Sequence, residues 1–296
     1  MIKEITSKTI LTKTKITSSW FPIDFNTNFY RGCLHGCIYC DSRSECYNIE
    51  NFDDILVKVN APKLMQQELA KKKIKGLIGT GSMSDPYLPI ERKYRITRRC
   101  LEVIKDYNYP VFIMTKSDII LEDIDLLEKI NKKTKVTVVF TLTTVNDEIA
   151  SKIEPGAPLP SKRLIAMQEL TKRGILTGVL LMPVLPFILD NENNILEVIN
   201  SAKKFGATFI YPYFGVTLRD RQRTYYYDKL DKIWPNVKEK YQSFFGNSYS
   251  CNSKSTKELY LYFKNQCQIN KLLYNMNDIA NLMRYKTDNQ LKFDIL

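Results

Sequence analysis

Tyr30-Arg31-Gly32-Cys33-Leu34-His35-Gly36-Cys37-Ile38-Tyr39-Cys40 sets three thiols in a C-x3-C-x2-C spacing, with an aromatic residue just before the last of them. Three thiolates packed into eight residues match three iron corners of a [4Fe-4S] cluster, and a short loop wraps the cube while the fourth iron stays open. A protein built only to carry electrons closes that corner with a fourth Cys, so a triplet reserves it for something other than protein. Zinc and unliganded thiols are the other readings. Zinc takes four ligands, and His35, the one histidine of the chain, completes a Cys3His set on paper. It lies between two of the thiols, where so short a loop strains to form a tetrahedron. Disulfides fit poorly, because seven cysteines is an odd number in a chain without an export signal.

The 296 residues, 44% of them hydrophobic, suffice for one large domain or one domain with an appendage. No apolar run is long enough to span a bilayer, and residues 1–19 alternate Lys and Thr with single aliphatics instead of forming the apolar stretch of a signal peptide. A cytoplasmic protein without membrane partners is expected. Forty-four Lys and Arg against 32 Asp and Glu give a formal charge of +12, which suits a polyanionic partner such as DNA, RNA or a phosphorylated metabolite. The same charge spread over many helices is also what a solvated surface carries.

Apolar periodicity predicts strands at residues 26–31, 76–80, 111–115, 135–142, 176–182 and 208–213, each rich in β-branched or aromatic side chains. Helices are predicted at 62–73, 97–108, 121–131, 161–173 and 193–205, the last two ending before Gly174 and Gly206. This alternation implies a parallel sheet with helices outside it, either an open barrel or a doubly wound sheet. Ligands of such folds sit at the carboxyl ends of the strands. Those ends are polar here: Gly79-Thr80-Gly81-Ser82-Met83-Ser84-Asp85-Pro86-Tyr87, then Thr115-Lys116-Ser117, then Thr141, Thr143 and Thr144.

The triplet resembles the radical S-adenosylmethionine (radical SAM) superfamily, whose cluster motif is C-x3-C-x-aromatic-C. Further motifs are similar to the spore photoproduct lyase-like branch: Asn28 to Cys33 with His35, Ser84-Asp85-Pro86-Tyr87-x-Pro89-Ile90-Glu91, Thr115-Lys116-Ser117, Glu154-Pro155-x-Ala157-Pro158 before Arg163-Leu164, and Met182-Pro183-Val184-Leu185-Pro186 before Asp190. They cover roughly residues 20–220. The resemblance implies a partial (β/α)6 TIM-like barrel at 26–215, an N-terminal extension at 1–25 and a helical C-terminal extension at 216–296. It implies that Cys33, Cys37 and Cys40 ligate a [4Fe-4S] cluster, and that S-adenosylmethionine is cleaved reductively to a 5'-deoxyadenosyl radical that abstracts hydrogen from substrate. Tyr39, Ser84, Asp85 and Lys116 are then expected at the cosubstrate. Its ammonium calls for a carboxylate such as Asp85, its carboxylate for a cation such as Lys116, and its ribose for Thr141 or Thr143. Taken alone, Asp85 before Pro86 also reads as a turn, and Lys116 as a surface lysine. A reductant such as flavodoxin or ferredoxin is implied as partner, with DNA or RNA a candidate substrate.

One departure stands out. The lyase is expected to carry a hydrogen-donating Cys just before the Ser-Asp pair, where this chain has Ser82, a far poorer donor to a carbon radical. Cys46, on the cluster loop, and Cys100, on a predicted helix where a buried Cys is usually inert core, are the other thiols that could supply hydrogen, while Cys251 and Cys267 read as structural. Arg219, Arg221 and Arg223 are candidate anion contacts, and the aromatics from Tyr225 to Phe245 read mainly as packing, with Tyr227, Leu230, Ile233 and Trp234 at helical spacing. Residues 255–296 read as two helices capping the barrel. Two other classes stay open: a zinc-stabilised nucleic-acid-binding protein and a non-catalytic iron-sulfur electron carrier.

Overall fold

The β-branched runs form strands because such side chains suit a pleated, buried surface. In the computed structural model, which describes residues 1–15 and 19–284, they are Phe25–Thr27, Ile78–Thr80, Val111–Thr115, Val136–Thr141, Leu176–Leu181 and Phe209–Pro212. Each pairs in parallel with the next in sequence, and Thr12–Lys13 adds an antiparallel strand beside the first. The crossovers carry the helices Ala61–Ala70, Ile96–Asp106, Ile124–Lys133, Pro160–Lys172 and Glu192–Lys204. Strand order follows chain order without reversal, so the switch point of a doubly wound sheet is missing. The sheet does not close on itself among the described residues. The architecture is therefore an α/β fold on a parallel sheet.

Alternation along the strands splits the core in two. Val111, Ile113, Val138, Phe140, Val179, Leu181 and Ile210 bury in one cluster with Leu101, Leu127, Met167 and Val198 of the crossover helices. Phe112, Val139, Leu180 and Phe209 belong to the other cluster, with Phe21, Ile23 and the helix Met276–Met283. That helix and Thr256–Ile269 are the two expected after residue 255. Residues 285–296, the end of the expected C-terminal extension, and 16–18, within the expected N-terminal one, lie outside the described residues.

Three differences from the sequence reading have physical reasons. The first strand ends at Thr27, and Tyr30–Arg31 instead pairs with Ile55–Lys58, which also pairs with Ile2–Ile5. Single aliphatics in residues 1–19 gave too weak a period to reveal that sheet. The helix expected at 121–131 begins as the 3-10 turn Asp118–Asp123, where Ser117 caps the N–H of Ile119. Gly215–Thr217 pairs with Ser250–Asn252, a long-range antiparallel contact of two very short strands.

Gly178 sits opposite Phe209, and a Cβ there would enter the Phe209 ring. Gly178→Ala should lower stability by roughly 1–3 kcal/mol through overpacking. The check is urea unfolding, with a lower midpoint at unchanged slope.

Candidate active site

From Gly32 to Cys40 the chain forms neither helix nor strand, so its neighbours must impose its shape. At Gly32 φ is 79°, and a Cβ would collide with the carbonyl oxygens of Phe52 and Asp54. Only glycine suits that position. The N–H of Cys33 donates to the Phe52 carbonyl at 3.2 Å.

The segment after the helix Asp147–Ile153 forms one wall. Ile38 donates its N–H to the Ile153 carbonyl at 2.9 Å, and Gly156 donates to the His35 carbonyl at 2.9 Å. Glu154 is fully buried; one oxygen accepts from the Tyr39 phenol, and the other pairs with the equally buried Arg163 at 2.5 Å. Arg163 also donates to the carbonyls of Pro158 (2.7 Å) and Thr141 (3.0 Å). Although burial alone would raise it, Arg163 and Lys116 hold the Glu154 carboxyl below its ordinary value.

The segment after the second strand forms another wall. Ser84 donates its hydroxyl to the Gly32 carbonyl at 2.5 Å. Asp85 accepts from the Thr115 hydroxyl (2.7 Å), the Lys116 N–H (2.7 Å) and the Tyr87 N–H (2.9 Å), and its Oδ2 lies 3.0 Å from His35 Nε2. Burial opposes its charge, but His35 and these donors outweigh that and set its pKa at about 2.

The helix Asp220–Ile233 closes the third side. Arg219 pairs with Asp41 at 2.6 Å, and Asp220 accepts from the Ser44 hydroxyl at 2.7 Å. Arg221 donates to the carbonyls of Arg43, Ile49 and Glu50, and Gln222 donates to that of Tyr39 at 3.2 Å. Arg43 lies 3.9 Å over the Tyr225 ring.

These walls enclose a cavity of about 340 Å³ at the carboxyl ends of the strands. Cys33, Cys37 and Cys40 open onto it together with Tyr39, Ser84, Asp85, Lys116 and Thr141. None of the three thiols is in a disulfide. Burial pushes Cys37 up to about 12, against the pull of Lys116, and raises Cys33 and Cys40 as well. Bound iron would hold such thiols deprotonated outright. The Lys116 ammonium lies 5.8 Å over the Tyr39 ring with no hydrogen bond or ion pair among the described residues. Burial alone would lower its pKa, but Cys37 and Glu154 raise it, so it remains a cation. Three soft sulfur donors beside a free ammonium fit an iron-sulfur cluster with one corner left for an anionic chelator.

The structure brings eight of the nine expected site residues together at the cavity. Thr143 does not line the cavity; its carbonyl accepts from Asn194 at 3.1 Å, and its buried hydroxyl has no partner. Asp85, expected at the cosubstrate ammonium, is occupied by protein donors and clamps the cysteine loop to Lys116. Ser84 likewise spends its proton on the loop. Arg219, Arg221 and Arg223, expected as anion contacts, serve internal oxygens, Arg223 those of Leu218, Gly246 and Ser248. The aromatics after them pack, with Tyr226 and Tyr227 buried. His35, needed for a zinc site, is turned to Asp85, and among the described residues no three His, Cys, Asp or Glu side chains converge as on a single ion. Sequence reading missed the lining residues Trp20, Tyr47, Met114, Leu180, Met182 and Tyr213. Met114 lies at the third strand end, already singled out for its polar residues, and Leu180 and Met182 lie at the end of the fifth strand.

A sequence model described as the Radical SAM superfamily matches residues 27–199. An uncharacterized protein of Methanocaldococcus jannaschii is 32% identical over 218 residues, 73% of this chain and 78% of that protein. A radical SAM Nalpha-GlyT isomerase of Pseudomonas phage M6 is 28% identical over 161 residues, 54% of this chain and 33% of its own length. Among solved structures, a doubly substituted spore photoproduct lyase with bound AdoMet and dinucleoside spore photoproduct has a TM-score of 0.70 at 14% identity, over 92% of this chain and 81% of that one. At that identity the likeness shows the fold.

Asp85 generates a pH prediction. A carboxyl held at about 2 in place of 3.8 contributes roughly 2 kcal/mol of stability above its ordinary pKa, lost as pH falls through the folded value. In urea unfolding of the apoprotein, the wild-type midpoint should fall more steeply between about pH 4 and pH 2 than that of Asp85→Asn. Parallel falls would refute the clamp.

Proposed function

The chain belongs to the radical SAM superfamily, its cofactors are a [4Fe-4S] cluster and S-adenosylmethionine, and on that premise we propose that it is a hydrogen-abstracting enzyme acting on a modified nucleotide or nucleic acid. Cys33, Cys37 and Cys40 would hold the cluster, which with S-adenosylmethionine would supply a 5'-deoxyadenosyl radical. The observation that carries the reading is the convergence of three undisulfided thiols and the unpaired Lys116 ammonium in one strand-end cavity.

The residues divide the work as follows. Lys116 offers the cosubstrate carboxylate a charge-assisted partner. Tyr39 and Thr141 line its seat, while Ser84 and Asp85 act one step back by fixing the loop that carries the thiols. Met114, Leu180, Met182 and Val216 give the cavity apolar walls that exclude water from a reactive intermediate. The six parallel strands act as a partial (β/α)6 barrel over residues 26–215, with 1–25 and 216–296 as extensions; Arg219 to Gln222, at the start of the latter, hold the chain from Tyr39 to Glu50 next to the cysteine loop.

A nucleic-acid substrate is favoured by the charge of +12 and by Trp20 and Tyr213 on the cavity wall, aromatic side chains of the kind that stack on bases. Ser82 is at the cavity, hydrogen-bonded to Asn26 at 3.0 Å. A serine there favours a reaction that needs no thiol donor at this place over lesion reversal. The enzyme needs a one-electron reductant, of the flavodoxin or ferredoxin type, as found in the cytoplasm; no helix among the described residues is long and apolar enough to cross a membrane.

The test is anaerobic reconstitution with iron and sulfide, then dithionite and S-adenosylmethionine, with 5'-deoxyadenosine quantified. Wild type should form it. Cys33→Ala, Cys37→Ala and Cys40→Ala should each lose the four-iron spectrum and the product, whereas Cys251→Ala, buried in one of two short paired strands, should keep both. A full cluster in any of the first three would sink the assignment. Lys116→Met should keep its iron and weaken S-adenosylmethionine binding about tenfold, the loss of one hydrogen bond to a charged group, read by equilibrium titration.

A further inference from the structure

We propose that Tyr249, at the rim of the cavity, is a stacking platform for the nucleobase next to the one that reacts, so that the substrate is a single-stranded nucleic acid and not a free nucleotide. This rests on the nucleic-acid reading above. Tyr249 is 48% exposed. It does not itself line the cavity, but Arg219 joins it to a residue that does: the guanidinium lies 5.2 Å from the centre of the Tyr249 ring and 5.6 Å from that of Tyr47, on the cavity wall. Asp41, also on the wall, sets this arrangement by accepting from the Tyr47 phenol (2.9 Å), the Arg219 guanidinium (2.6 Å) and the Thr217 hydroxyl (3.2 Å). The backbone of Tyr249 is fixed as well. It precedes the strand Ser250–Asn252, which pairs with Gly215–Thr217, and its carbonyl accepts the Leu218 N–H at 2.8 Å. Val216 and Thr217 line the cavity, so the ring stands at the edge of the mouth on a paired strand.

A single exposed tyrosine is ordinary on a protein surface, but two features distinguish this one. The guanidinium against its ring orders the side chain before a ligand arrives, which lowers the cost of stacking on it. The charged groups beside it are also already engaged: Arg219 with Asp41, Asp220 with the Ser44 hydroxyl, and Arg221 with backbone carbonyls. None of these cations is spare for a phosphate, so what the rim offers a strand at this point is an aromatic ring. The base is the part of a nucleotide that matches a ring, and stacking accepts any base. Within the cavity, Trp20, 37% exposed, and Tyr213 offer further rings to the reacting nucleotide. Rings inside and outside the mouth suit successive bases of one strand, whereas a free nucleotide would leave Tyr249 unused. Lys116, the unpaired cation among the described lining residues, serves the cosubstrate carboxylate, so the phosphates of the strand stay outside.

The experiment is fluorescence anisotropy of the reconstituted protein with fluorescein-labelled oligothymidylate and oligouridylate of about 12 nucleotides. Wild type should bind a strand, and the tighter of the two identifies it as DNA or RNA. Tyr249→Ala should weaken that binding about tenfold, the loss of one stacked base, and Tyr249→Phe, which keeps the ring, should bind as wild type does. The ratio between wild type and Tyr249→Ala should be the same at about 50 and about 200 mM salt, because no phosphate contact is removed. Unlabelled thymidine monophosphate should displace the strand from wild type only at far higher concentration than the unlabelled strand does. Equal affinities of wild type and Tyr249→Ala, a Tyr249→Phe variant as weak as Tyr249→Ala, a ratio that collapses with salt, or equal competition by the mononucleotide would each overturn the platform and leave the nucleic-acid reading standing. A wild type that binds neither strand would overturn the nucleic-acid reading itself, and the platform with it.

Discussion

The buried pair Glu154–Arg163 is the contact on which the site depends. Three thiols must be held in fixed relation by a loop with no ladder of its own, and a loop of this kind is ordered only by what it is bonded to. Glu154 takes the Tyr39 phenol and thereby fixes the residue before the last thiol, while Arg163 ties Glu154 to the end of the fourth strand through the Thr141 carbonyl. Two ions so deeply buried are costly to desolvate, and the cost is offset only when the remaining donors and acceptors are filled. They are filled here by Tyr39, Pro158 and Thr141. Such a pair specifies one arrangement more than it adds net stability.

Around this anchor the loop is held from two further directions, each by a separate part of the chain. Asp85 ties His35 to the third strand end, and the start of the helix Asp220–Ile233 takes up carbonyls from Tyr39 to Glu50. Spreading the support over the second strand end, the 154–163 segment and the C-terminal region couples cluster geometry to the completeness of the fold. It also explains why five charged groups, Asp41, Asp85, Glu154, Arg163 and Arg221, surround a site whose cavity leaves just one unpaired cation, Lys116, among the described lining residues.

The division between what could and could not be read from sequence follows the range of the interactions. All six strands and five crossover helices came from local periodicity, and Gly174 and Gly206 end their helices with φ of 72° and 92° as their positions suggest. The thiols were legible because their spacing is itself the chemistry. Thr143 and the arginines of 219–223 were expected at ligands because a polar residue near a strand end looks the same whether it faces a cavity or a distant backbone. Arg221 and the carbonyls it serves are more than 170 residues apart, and nothing local encodes that pairing. The strand order, which alternation alone left open, lacks the reversal of a doubly wound sheet.

Serine at position 82 sharpens the chemical question. The described thiols on the cavity wall are Cys33, Cys37 and Cys40, while Cys46 is exposed outside it and Cys100, Cys251 and Cys267 are buried in the core. With the three lining thiols holding iron as proposed, a substrate radical formed here would meet phenols, thioethers and hydroxyls. Hydroxyls hold their hydrogen too tightly to give it to a carbon radical; of the lining phenols, those of Tyr39 and Tyr47 are already bonded to Glu154 and Asp41, and Tyr213 is the remaining one, a slower donor than a thiol. A pocket so furnished protects a carbon radical from quenching for longer than one with a thiol at its mouth. That is the condition for a rearrangement to run ahead of reduction.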